Sequence, residues 1–313
     1  MKILLTGATG MVGRNILDHQ TALTHQIIAP SSSTLNLLDN VALRRYIKEK
    51  KPDMVIHCAG VVGGIQSSTS YSKFLIDNML MGINIVKESQ NFGVPRLINI
   101  SSSCVYPNDC LEPMKEDQIL SGKLDEIREG YCLAKVSILK LCEYINKENT
   151  SLNYKSVIPC NLYGRYDKFD SSHAHMIPSV ISRIINATNN SLDFIEIWGD
   201  GTARREFMFA EDAADFIFYA IQNFDRMPQN VNLGIGKDYT IKEYNETIAN
   251  IVGYKGQFIL NSDKPVGSKR RLLCTQQLND FGWTHKTELE AGISKTIDYY
   301  LGGKLNESIQ VSK

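Results

Sequence analysis

Neither sign of charge predominates in this 313-residue chain, where 34 lysines and arginines meet 34 aspartates and glutamates. A balanced chain has no global field to gather nucleic acid or an anionic membrane, so affinity for an anion must come from local placement. Long apolar runs are also missing, and none approaches the length that crosses a bilayer. The N-terminal MKILLTGATG offers three apolar residues in a row, too few for the apolar stretch of a signal peptide. The seven cysteines are an odd number without a C-x-x-C pair, which argues against a disulfide framework and for reduced thiols. Low-complexity tracts and internal repeats are absent. These absences predict a folded, cytoplasmic protein with no nucleic acid, membrane or metal partner.

What is there is alternation. KILLT, HQIIA, DMVIHCA, RLINIS and YKSVIPC read as strands, and NVALRRYIKEKK and NMLMGINIVKESQNFG as amphipathic helices between them. That order implies an α/β fold, a Rossmann-type doubly wound parallel sheet covered on both faces. Beyond about residue 165 the pattern loosens, with helices around MIPSVISRIINA, IKEYNETIANIVGY and LEAGISKTIDYYLG and a strand at DFIEIWG. FAEDAADFIFYAIQ and NVNLGIG read as a helix and strand returning to the first sheet. The expected division is a dinucleotide-binding domain over 1–165, with returning elements near 207–236, and a smaller α/β substrate domain over 166–313.

The first strand runs straight into GATGMVGRNIL, with Gly7, Gly10 and Gly13 spaced G-x-x-G-x-x-G. A dinucleotide pyrophosphate needs a tight turn, a bare backbone and a helix N-terminus aimed at it. In that position the three glycines meet the need, and Thr9, Met11 and Val12 join them as candidate cofactor contacts. An acid after the second strand would hold a free ribose 2′-hydroxyl, but the strand runs into APSSSTLNLLD. Ser31, Ser32 and Ser33, with Arg14 for charge, suit a 2′-phosphate instead. NADP(H) is therefore expected, and NAD(H) stays open.

Tyr131 and Lys135 stand at i and i+4 on a helix, EGYCLAKVSILKL, and so share a face. A nearby ammonium favours the phenolate and lowers a phenol pKa from about 10, which suits proton exchange with a substrate oxygen. Tyr46 and Lys50 repeat the spacing on an earlier charged helix and read as a solvated face. Ser102, at the carboxyl end of a central strand, marks the first pair as the functional one. Two residues on lies Cys104, which taken alone reads equally as a small core filler or a reactive thiol.

The glycine turn, Ser102, Tyr131 and Lys135 together resemble the extended short-chain dehydrogenase/reductase superfamily. Within it, VGGI (Val62–Ile65), SSSCVYP, CNLYG, the run from His175 to Pro178 and WGDGTARREF resemble GDP-L-fucose synthase. The resemblance implies an NADP-dependent oxidoreductase that inverts C3 and C5 of a GDP-4-keto-6-deoxy sugar and then reduces C4. Tyr131 would protonate the C4 oxygen, Lys135 would hold the nicotinamide ribose, and Ser102 would bind the carbonyl. Cys104 and His175 would be the base and acid of the epimerisation. Ser103, Asn161, Leu162 and His175 would join the cofactor contacts, and Arg183, Trp198, Arg205 and Arg271 would bind the nucleotide sugar, with Arg204 and His173 outside the site. Relatives commonly dimerise through the Tyr–Lys helix, so a homodimer is implied.

The chain also departs from that family. Arg165, Tyr166, Asp167, Lys168 and Phe169 replace a Pro-His-Asp-Asn-Phe run, and Val266 stands where an acid is common. Those changes open a second reading, a C4-reductase acting on a GDP-4-keto-6-deoxy-heptose. A 4,6-dehydratase would want an acid beside Ser102, and SSSCVYP has none. A dinucleotide-sensing protein would have no use for the Tyr–Lys pair.

Overall fold

The protein is described by a computed structural model that covers residues 1–62, 71–170, 174–264 and 267–311. Gly63, Gly64 and Ile65 of the VGGI run, His173 and Val266 lie outside the described residues. Strand β1 (Lys2–Thr6) leads into helix α1 (Met11–Asp18), followed by β2 (Gln26–Ile28), α2 (Asn40–Lys50) and β3 (Met54–His57). Asp39 begins α2 by accepting from the amides of Val41 and Ala42 through Oδ1, both at 3.0 Å, as an N-cap carboxylate should. Helix α3 (Tyr71–Asn91) starts seven residues before the stretch the sequence marks, because YSKFLID carries the same helical pattern. Then come β4 (Arg96–Ile100), α4 (Glu129–Glu148) and β5 (Asn153–Pro159).

Every sheet strand the sequence marks is present, and all pair in parallel in the order β2-β1-β3-β4-β5. The period-2 alternation resolves into two cores. Ile3, Leu5, Met54, Ile56, Ile98 and Ile100 face α1 on one side, while Leu4, Val55 and Leu97 face α2, α3 and α4 on the other. Chain order reverses between β1 and β3, so the carboxyl ends of those two strands form the switch point where such sheets bind ligands. Tyr46 is half-buried against the second core with the Lys50 ammonium 5.5 Å from its ring centroid, while Lys50 itself pairs with Glu49 at the solvated surface.

The second half weaves between this sheet and a third core. It comprises β6 (Asn161–Tyr163), α5 (Met176–Asn189), β7 (Phe194–Trp198), β8 (Arg204–Arg205), β9 (Phe207–Phe209) and α6 (Ala210–Gln222), then β10 (Asn230–Leu233), β11 (Tyr239–Thr240), α7 (Ile241–Val252), β12 (Gln257–Asn261), α8 (Gln276–Phe281) and α9 (Leu289–Val311). Helix α6 packs on the α1 face and β10 adds a sixth parallel strand beside β5, the return the sequence predicts. Tyr163, Phe207, Phe209 and Tyr244 build an aromatic centre for the third core with α5 and α7. Among the described residues no helix is long and apolar enough to cross a membrane.

Candidate active site

At the switch point two of the three glycines are required by space. A Cβ on Gly7 would lie 2.5 Å from the Ala59 amide nitrogen, and its φ of +73° is a conformation that favours glycine. A Cβ on Gly13 would lie 2.3 Å from the Gly7 carbonyl oxygen, whereas at Gly10 the nearest atom is 3.4 Å away. Gly13 therefore lets α1 press against the turn. Gly10 is the exposed N-cap of α1, with no side chain satisfying the first amides. A bare turn closing on an uncapped helix start fits a dinucleotide pyrophosphate. Thr9 is exposed beside it, and Met11 and Val12 open the helix half-buried. Ser31 bonds within its own turn, to Ser33 Oγ at 2.7 Å and Thr34 Oγ1 at 3.1 Å, while Ser32 is exposed.

The reactive residues gather at the end of β4 and the start of α4. Lys135 is buried, and its Nζ donates to the Ile100 carbonyl at 3.0 Å and sits 5.7 Å from the Tyr131 ring centroid. Asn78 of α3 supports the neighbouring loop, accepting from the Val61 amide at 2.9 Å and donating to the Val61 carbonyl at 3.0 Å. Ser102 caps the short 3-10 turn Ser103–Val105, accepting from the Cys104 amide at 3.3 Å. Its hydroxyl favours the charged form of both the Tyr131 phenol and the Cys104 thiol. Burial raises the Tyr131 phenol above its ordinary value, with the Cys104 sulfur adding to the rise. The expected lowering by Lys135 is therefore corrected: the cation that favours the phenolate is Arg128, and desolvation outweighs it together with the Ser102 hydroxyl.

Cys104 goes the other way. Burial opposes its thiolate, but hydrogen bonds from Cys132 and Ser102 and the charges of Arg128 and Lys135 prevail, bringing it down to about 7. Among the other cysteines, burial pushes Cys58 and Cys142 up to about 12 and Cys160 well above its ordinary value. His175 is the N-cap of α5, exposed on one side, yet enclosed enough for burial to lower its pKa, helped by Lys168 and Arg128. Arg128 acts on both Cys104 and His175 and is held by Asp125 at 2.8 Å. Sequence reasoning missed Arg128, which follows no motif and reads as one more charge in a helix lead-in.

The nucleotide-sugar candidates divide. Arg271 points into the Cys104 turn, donating from Nη2 to the Ser103 carbonyl at 2.9 Å and from Nη1 to the Pro107 carbonyl at 3.1 Å. Arg205 shares its cationic neighbourhood: burial, Arg271 and Arg128 all act against its charge. Trp198 is exposed, with the Lys264 ammonium 5.6 Å from its ring centroid. Arg183 spends Nη2 on the Glu196 carbonyl at 2.8 Å, and Arg204 is tied to Asp238 at 3.0 Å. Asn161 donates to the Glu206 carbonyl at 3.0 Å, and Leu162 packs half-buried on the first core. The unusual Arg165 and Tyr166 turn to α6 and α1 instead of converging on Cys104. Arg165 Nε pairs with Glu211 at 2.7 Å, and the Tyr166 ring lies 4.8 Å beneath the Arg14 guanidinium.

Fold and site together define an oxidoreductase built on a Rossmann-type sheet. The model of the NAD dependent epimerase/dehydratase family matches residues 3–236, and the chain belongs to that family. It is 53% identical to a GDP-L-colitose synthase of Yersinia pseudotuberculosis, over 98% of this chain and 100% of the relative. A GDP-L-fucose synthase of Azorhizobium caulinodans is 43% identical over 96% and 97% of the two chains. A solved GDP-mannoheptose C4 reductase from Campylobacter jejuni with NADP bound superposes with a TM-score of 0.88 at 25% identity, over 96% and 98% of the chains. The resemblance to GDP-L-fucose synthases holds over nearly the whole chain.

Proposed function

We propose that the protein is an NADP(H)-dependent epimerase/reductase of a GDP-4-keto-6-deoxy sugar, giving GDP-L-fucose or a close relative. The observation that carries this reading is the convergence of the Tyr131 phenol, the Ser102 hydroxyl and the Cys104 thiol at one strand end. Hydrogens at C3 and C5 are acidic only while C4 is a ketone, so inversion precedes reduction. Cys104 takes the proton, charge moves onto the C4 oxygen, and Ser102 and Tyr131 hold that oxygen. His175 returns a proton from the opposite face. NADPH, when bound, supplies hydride to C4. Tyr131 then gives its proton to the alkoxide, and Lys135 keeps the Ile100 strand end in place beside it.

Gly7, Thr9, Gly10, Met11, Val12 and Gly13 would hold the pyrophosphate, with Ser31 and Ser32 at the ribose and Ser103, Asn161 and Leu162 nearer the nicotinamide. Arg205 and Trp198 would meet the GDP, and Arg183 would line it from α5. This divides the chain at about residue 165, cofactor on one side and sugar on the other. A second copy would cover Ile76 and Leu80 of α3 and Leu133 of α4, large apolar side chains left exposed. All seven thiols are free, which suits the cytoplasm.

Two relatives favour other sugars on the same machinery. The GDP-L-colitose synthase points to a substrate lacking the C3 hydroxyl, with C5 as the centre to invert. The heptose reductase points to C4 reduction alone, with Cys104 and His175 idle. The test is to offer GDP-4-keto-6-deoxymannose, its 3-deoxy form and its heptose analogue with NADPH in deuterated solvent. Label at C5 with turnover of either hexose supports the reading; turnover of the heptose alone, without label, replaces it.

A further inference from the structure

Cys132 follows Tyr131 directly but is fully buried. With Cys104 and Leu124 it forms a small cluster separate from the three larger cores, and Tyr131 packs against it. Cys142, on the same helix, joins the large core under α2 and α3 and has no such partner. Both thiols of the small cluster are reduced, and Cys132 packs beside Cys104 there, its S–H favouring the Cys104 thiolate.

The need for that donor follows from how the cations around Cys104 are used. From α4, Lys135 gives its ammonium to the Ile100 carbonyl. From the turn before α4, Arg128 gives Nε and Nη2 to Asp125. From the loop near residue 271, Arg271 gives its fork to the carbonyls of Ser103, Tyr106 and Pro107. These charges reach Cys104 as a field, while Asp125 acts against a thiolate at Cys132. The groups left to donate to its sulfur are the Ser102 hydroxyl and the Cys132 thiol. A buried anion without a hydrogen-bond donor is costly, and Ser102 has one hydrogen to share between Cys104 and the oxygen at Tyr131.

We propose that Cys132 is a positioning residue for proton transfer at Cys104: its S–H donates to the Cys104 sulfur and leaves the Ser102 hydrogen to the C4 oxygen. Two jobs that would compete for one hydroxyl are thereby given separate donors. The inference rests on the reading of Cys104 as the epimerising base.

Ultraviolet thiolate absorbance measured against pH in the full-length protein tests it, with Cys104→Ser as the blank. The other buried thiols titrate far higher, so absorbance that rises near neutrality and disappears in Cys104→Ser belongs to Cys104. Cys132→Ala is expected to move that titration upward by about one pH unit, and to slow solvent-proton exchange into the substrate about fivefold at about pH 7. Cys132→Ser keeps a donor and is expected to restore both. Where a void at Ala disturbs the turn, Cys132→Val separates donor from volume: Val must shift the titration and Ser must not. A Cys132→Val protein that titrates with the wild type overturns the proposal. If Cys104→Ser itself keeps full exchange, the reading of Cys104 as base falls, whereas the absorbance shift still decides whether Cys132 serves its sulfur.

Discussion

Arg271 donates from Nη2 to the carbonyl of Ser103 at 2.9 Å, joining residues 168 positions apart. With Nη1 on Pro107, the guanidinium closes the turn that carries Cys104 from its far side. Arg271→Lys keeps a positive charge and loses the fork. Charge-assisted bonds of this kind are worth about 1.5–3 kcal/mol each. The variant is expected to lose about tenfold or more in solvent exchange at C5, and less in reduction of a ketone that needs no inversion. Exchange followed by NMR, beside NADPH oxidation, separates the two.

The glycines are not equivalent. Gly13→Ala places a Cβ into the Gly7 carbonyl, where backbone has no room to retreat, and overpacking of that sort costs about 1–3 kcal/mol. It is expected to lower the melting temperature and abolish NADPH binding. Gly10→Ala meets no atom closer than 3.4 Å and is expected to fold normally, weakening NADPH binding only where the methyl faces the pyrophosphate. Thermal melts with and without NADPH check both.

Much of this was legible in the sequence. The strand pattern, the glycine turn and the Tyr131–Lys135 spacing depend on local periodicity, and β10 was visible as a strand because Val231 and Leu233 alternate with asparagines. What escaped reading depends on chain-distant contacts. Nothing in the one-dimensional order shows that Arg271 would spend its fork on the Ser103 turn, or that Arg128 would face Cys104 and His175 together. The sign of the Tyr131 shift also escaped, because spacing reveals the ammonium but not the burial that outweighs it. Arg165 and Tyr166 looked like changes at the sugar and proved to be a brace between α1 and α6, through Arg14 and Asp18 on the first and Glu211 on the second.

Epimerisation should be pH-dependent in a particular way. It needs Cys104 as thiolate, whose fraction grows as pH rises toward about 7, and His175 as imidazolium, whose fraction falls above a pKa lowered by burial, Lys168 and Arg128. The product of the two fractions is a bell. Its maximum is expected below about pH 7, the Cys104 value being its upper bound. Reduction uses the Tyr131 proton, which burial holds in place throughout this range. Exchange and reduction measured separately across pH should show the bell in the first alone.

Tyr131→Phe removes the proton that reduction consumes while keeping the ring on the Cys104 cluster. Loss of a positioned general acid costs about 10²–10⁴-fold, and turnover of NADPH is expected to fall by that range with little change in cofactor affinity. Single-turnover kinetics with fluorescence titration of NADPH provide both numbers. Undiminished reduction would remove Tyr131 from the mechanism.

The account joins two reactions at one strand end, and a single experiment reaches both. GDP-4-keto-6-deoxymannose is incubated with the enzyme and NADPH in deuterated solvent, and the product is analysed by NMR. The account predicts a C4-reduced 6-deoxy sugar of inverted configuration carrying solvent deuterium at C5 and C3, with Cys104→Ser giving reduction without label. A product reduced at C4 with C3 and C5 unlabelled in the wild-type enzyme would contradict it.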